Sequence, residues 1–137
     1  MIRCIISVLN REQIIIYVIY ATPLVILHVV LKGTFPKKIN VLSYGQNHYL
    51  CDTNKASIHA EHDAINKLPF CRKKIDINML IIRFTNDKQM KLTMSKPCNK
   101  CRNMMTSLFP KKGYNIKNIY YSDQNGEIVK STLNKLI

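Results

Sequence analysis

Apolar residues follow two different rhythms along the chain. The clearest run is Ile75–Phe84, "IDINMLIIRF", which predicts a strong strand. Lys117–Ser122 predicts another strand, Asp123-Gln124-Asn125-Gly126 a turn, and Glu127–Val129 a short return strand. Upstream, Ile39–Tyr44 reads as a strand. Val25–Lys32 reads as its antiparallel neighbour, because only the turn at Gly33-Thr34-Phe35-Pro36 separates them. Ile14–Tyr20 reads as a strand or as the end of a short helix over 2–9, where Ile2, Ile5, Ile6 and Leu9 share one face.

Helical spacing appears in Ser57–Leu68, with Ile58, Ala64, Ile65 and Leu68 on one side, Ser57 as the expected cap and Pro69 as the stop. Cys98–Leu108 predicts a second helix, opened by Pro97 and closed before Pro110; Ser131–Leu136 predicts a third. A polar loop spans Gly45–Ala56, and Asn86-Asp87-Lys88 turns the chain. Strands alternating with helices after residue 39 predict an α/β fold with parallel strands joined by helical crossovers.

Composition adjusts this picture in three places. With 137 residues, 47% hydrophobic and 21% charged, the chain has the size and make-up of one globular domain. Lysine and arginine outnumber the acids 21 to 8, a net +13 that suits a phosphate-bearing partner such as a nucleotide or nucleic acid. The basic residues fall in pairs and triplets at expected turns (Lys37-Lys38, Arg72-Lys73-Lys74, Lys111-Lys112) and not in a single stripe. Five cysteines form no regular disulfide framework, which points to a reducing, cytoplasmic compartment. The uncharged run from Ile14 to Leu31 just reaches the length of a membrane span, about 18 residues. Pro23 splits it into two strand-length pieces rich in Ile and Val, so buried structure is expected there and no membrane anchor. Residues 1–24 stand apart as an atypical apolar segment ahead of a domain over 25–137.

Two short motifs carry candidate chemistry. In "SKPCNKC", Cys98 and Cys101 sit three apart at a helix start, on one face, where the helix dipole favours thiolate. Alone, this pair serves a redox site as well as a metal site. In "SIHAEHDAINKL", His59 and Glu61 are two apart, about 200° on a regular helix at 100° per residue. They can face one site only if His59 lies at the irregular entry to the helix. One imidazole and two thiolates make three zinc ligands, leaving a fourth position open for water, and Glu61 beside it is what proton transfer needs.

His59-Ala60-Glu61 followed by Pro97-Cys98-Asn99-Lys100-Cys101 resembles the signature of the cytidine/deoxycytidylate zinc deaminase superfamily. The resemblance runs from about Val25 to Ser131. It implies a three-layer α/β/α sandwich around a mixed sheet of about five strands. It also implies hydrolytic deamination of a cytosine nucleoside or nucleotide, with release of ammonia. Zn2+ would be held by His59, Cys98 and Cys101, and Glu61 would be the proton carrier. Tyr44–Asn47, "YGQN", looks like the family's Gly-x-Asn, which gives Asn47 a substrate contact. The backbone of Ala60 is implied as a donor at the site and the carbonyl of Lys96 as an acceptor for the amine. "NIKNIYYSDQNG" looks like the family's fourth strand, where Tyr120 or Tyr121 borders the base; strand alternation lets only one of them face the site. His59 in place of a cysteine leans towards the deoxycytidylate branch. The charge favours RNA or DNA substrates, but the tryptophan typical of polynucleotide-editing members is missing; "MSKPC" stands there. A homo-oligomer is also expected, with the apolar N-terminus as a subunit contact.

Overall fold

The computed structural model describes residues 14–20, 40–49, 57–85 and 91–136. Within them the chain is mixed α/β. In chain order the elements are β1 (Ile14–Tyr20), β2 (Asn40–Gln46), β3 (His48–Tyr49), β4 (Ser57–Ile58), α1 (Ala60–Lys67), β5 (Ile75–Phe84) and β6 (Leu92–Thr93). These are followed by α2 (Asn99–Lys112), β7 (Tyr114–Ser122), β8 (Ile128–Ser131) and α3 (Leu133–Leu136). The main sheet runs β2-β1-β5-β7-β8, with β6 attached to β5; β3 and β4 form a separate small ladder. β1 pairs in parallel with both β2 and β5, and β5 in parallel with β7, while β8 and β6 run antiparallel to their partners.

β5 lies between two other strands, which is why its apolar run hardly alternates. Ile77, Met79 and Ile81 line one face, and Leu80 and Ile82 are equally buried on the other. The first face meets the helices. Ala60, Ala64, Ile65 and Leu68 of α1 and its end pack with Cys101, Met105 and Phe109 of α2 and Leu136 of α3. Ala60 and Ala64 are small enough to bring α1 close to its neighbours. All three described helices share that face, so a second helical layer is not seen among the described residues.

Several boundaries differ from the sequence reading. Ser57 is not the cap of α1: it pairs in β4 with Tyr49, and His59 is the N-cap, in an extended conformation at φ −69°, ψ 152°. α2 does not end before Pro110. It runs on to Lys112 and ends at Gly113, whose left-handed φ of 88° suits a residue without a side chain. Pro110 forfeits a backbone hydrogen bond inside the helix, but the last turn is anchored from outside. The Lys112 ammonium donates to the carbonyls of Ile65, Asn66 and Leu68 at 2.7, 3.1 and 2.9 Å, and the Lys112 and Gly113 carbonyls accept from Cys71 and Ile75. One lysine thus caps the carboxyl end of α1 and fixes the end of α2. β7 begins three residues earlier than expected, β8 covers Ile128–Ser131, and β6 was not anticipated.

Ile14–Tyr20 forms a strand, the first of its two readings. The partner observed for β2 is this strand, in parallel. The helix expected over 2–9, the strand Val25–Lys32 with its antiparallel pairing, and the turns at 33–36 and 86–88 lie outside the described residues. Among the described residues no helix is long and apolar enough to cross a membrane.

Candidate metal centre

Parallel strands point their carboxyl ends to one edge of the sheet, and the helices that follow begin there. α1 starts near that edge after β2, and α2 starts near it after β5 and β6. Each helix opens on a ligand-type residue in extended conformation: His59 caps α1, and Cys98 caps α2 at φ −70°, ψ 166°. An N-cap stands outside the regular 100° rotation, and so His59 and Glu61 reach the same place despite their spacing.

Three donor atoms converge between the two mouths. His59 Nδ1 lies 3.3 Å from Cys101 Sγ and 3.6 Å from Cys98 Sγ, and all three ligand atoms fall within 4.8 Å of one another. Tetrahedral bond lengths of roughly 2.3 Å to sulfur and 2.05 Å to nitrogen would separate N and S by about 3.6 Å. The observed distances suit a shared ion. They do not suit two thiol hydrogen bonds equally well, because Nδ1 has a single in-plane lone pair for both sulfurs. The cluster His59-Cys98-Cys101 could hold a metal ion.

Cys101 is 2% exposed, and Glu61 beside it is wholly buried. Burial pushes the Cys101 thiol well above its ordinary range, and the Glu61 carboxylate and Cys98 push it further. Two helix N-termini partly offset this, and Cys98 Sγ accepts from the Cys101 amide at 3.5 Å. A divalent cation would reverse the balance and hold both sulfurs as thiolates.

The mouths are positioned by residues with no ligand chemistry of their own. Gly45 allows β2 to touch α1: a Cβ there would overlap the Ala60 carbonyl and the Ala64 amide and stand 2.9 Å from the Ala64 Cβ. Ser43 Oγ donates to the Ala64 carbonyl at 2.7 Å, and Asp63 accepts from the Gln46 amide at 3.0 Å. On the other side, buried Ser95 donates to the Ile81 carbonyl at 2.7 Å, accepts from the Ser122 amide at 2.8 Å and lies 2.7 Å from Ser122 Oγ. That knot sits two residues before Pro97 and fixes the approach to Cys98. Neither serine stood out in the sequence; a small polar residue beside two strands and a motif was the only available signal.

The expected substrate residues divide. Asn47 lies at the mouth of α1, and its Oδ1 accepts from the Ala60 amide at 2.9 Å. In this structure the Ala60 amide is thus engaged by Asn47, which satisfies one orphan N–H of the helix. Tyr121 faces the helices and packs against their core. Tyr120 pairs with Leu80 on the opposite face, 1% exposed, with Lys130 over its ring at 5.7 Å; it therefore does not border the centre. Lys96 is exposed between buried Ser95 and Pro97.

No protein-family model, curated protein or solved structure matches the chain.

Proposed function

We propose that this chain is a zinc-dependent hydrolytic deaminase of the cytidine/deoxycytidylate type, built as a three-layer α/β/α sandwich. It would convert a cytosine nucleoside or nucleotide and water to the uracil form and ammonia. One observation carries this reading: an imidazole and two sulfurs converge at two helix mouths, with a fully buried carboxylate beside them. A structural metal site would not need Glu61, nor would a redox pair need His59.

Zinc held by His59, Cys98 and Cys101 would supply positive charge and acidify a water towards neutral pH. Glu61 would carry both protons of the attacking water, the first to the ring nitrogen as the hydroxyl adds and the second from that hydroxyl to the departing amine. Burial keeps the carboxylate from bulk water during these transfers. Tyr121 is the aromatic that can border the base, Asn47 holds the mouth of α1, and the Lys96 carbonyl is the acceptor for the amine. Reduced ligand thiols accord with a cytoplasmic location, and a homo-oligomer is the expected assembly, to be read from solution mass.

The net charge of +13 favours a second substrate class, a base within RNA or single-stranded DNA. Ammonia release from dCMP, cytidine, guanine, single-stranded DNA and tRNA separates the two. Glu61→Gln should keep stoichiometric zinc and lose turnover by about 100-fold or more. Retained turnover in that variant would remove Glu61 from the chemistry. A metal-free protein with dithiol activity would instead mark a redox CxxC protein.

A further inference from the structure

The opposite end of the helix pair carries a second feature, unconnected with the metal ligands. Phe70 is 79% exposed, the most exposed large apolar side chain among the described residues. It sits in the segment after α1 that backbone hydrogen bonds stitch to the end of α2, Cys71 to Lys112 and Ile75 to Gly113. That stitching gathers Arg72, Lys73 and Lys74 beside Lys111, and all four are exposed. Lys112 lies over the Phe70 ring at 5.4 Å while its ammonium is held by the α1 carbonyls, so the ring is seated on a fixed cation. Three residues upstream, Lys67 lies over the part-exposed Tyr44 ring at 4.9 Å.

Acid does little to offset this charge. The described acidic residues are Glu61, Asp63, Asp76, Asp123 and Glu127. Glu61 lies at the metal centre, Asp63 bonds Lys67 and the Gln46 amide, and Asp123 and Glu127 lie in the turn between β7 and β8. Only Asp76 belongs to this end, and Lys117 already neutralises it at 3.2 Å.

We infer that this end of the molecule binds single-stranded nucleic acid. Arg72, Lys73, Lys74 and Lys111 would contact phosphates, and the Phe70 ring would stack on a base. An exposed aromatic among unpaired-sign cations is what a flexible strand uses, charge along the backbone and a flat face for a base. An anionic membrane fits less well, because among the described residues Phe70 is the one large apolar side chain that is mostly exposed, and it gives little to insert. The surface is separate from the deaminase site and does not depend on its chemistry.

The test is fluorescence anisotropy of the full chain with a labelled dT20 oligonucleotide across a salt series, with phosphatidylserine vesicles as a parallel probe. The variant R72A/K73A/K74A/K111A should bind about 100-fold more weakly near 0.1 M salt and show a smaller salt slope, since each phosphate contact contributes about 0.7 to it. Phe70→Ala should weaken binding about tenfold and leave the slope unchanged, a pattern that only stacking produces. Glu61→Gln should bind as the parent does. Wild-type affinity in the four-residue variant with unchanged melting temperature would overturn the proposal. So would loss of binding on neutralising Lys91, Lys100 and Arg102 instead, or vesicle binding without oligonucleotide binding.

Discussion

Replacing Gly45 by alanine tests how the metal centre is held. The added Cβ overlaps the Ala60 carbonyl and the Ala64 amide, both backbone, and stands 2.9 Å from the Ala64 Cβ. None of these is the far end of a flexible side chain, so α1 must withdraw by about 1 Å or more to restore the 3.5–4.0 Å spacing of unbonded atoms. The Ser43 and Asp63 hydrogen bonds resist that movement. Overpacking of this kind costs about 1–3 kcal/mol. His59 caps the helix that moves, whereas both sulfurs belong to α2. Metal–ligand distances tolerate only about 0.2 Å, and so the imidazole leaves its place in the ion's shell. Zinc affinity, measured by competition with a chromophoric chelator, should fall by about 100-fold or more, beyond the loss typical of a disturbed supporting residue. Tyr114→Phe is the comparator: it loses the hydrogen bond to the Pro69 carbonyl far from the ligands and should keep full affinity. A Gly45→Ala protein with parental zinc affinity and melting temperature would refute the close-approach reasoning.

Other perturbations reach the same architecture from different sides. Lys112→Met leaves three carbonyls at the end of α1 without their charged donor and should cost about 2 kcal/mol in urea unfolding. Ser95→Ala strands the Ser122 amide and the Ile81 carbonyl in a buried setting. It should cost about 1–3 kcal/mol and weaken zinc binding, read by denaturation and chelator competition. Burial raises the Tyr114 hydroxyl pKa, so the unfolded chain ionises first. Stability should therefore decline as pH rises through about 10, the unfolded tyrosine value, and Tyr114→Phe should flatten that decline in melts at alkaline pH.

The centre was more legible in the sequence than the scaffold around it. His59 and Glu61 could share a site only if His59 stood at the helix entry, and the structure places it at the N-cap. Cys98 and Cys101 needed nothing beyond i, i+3 geometry. Tyr121 could be separated from Tyr120 only once the register of β7 against β5 was known, because alternation says that the two differ and not which one faces inward. Ser57 looked like a cap because serine is good at it, but pairing with Tyr49 claimed it. Pro110 looked like a stop because proline breaks helices in isolation. Its tolerance depends on Lys112, Cys71 and Ile75, contacts across tens of residues that no local pattern reveals. The parallel pairing of β1 with β2 is likewise a long-range outcome.

Because Lys112 fastens α1 to α2 at the end remote from the ligands, the helix pair resembles tongs riveted at the handle. Jaws fastened in this way should keep their gap with or without an ion between them, so that capture would ask for little new ordering of the chain. Zinc should then enter and leave a standing cradle, and its removal by a chelator should leave the backbone amides of both helices as slow to exchange as before.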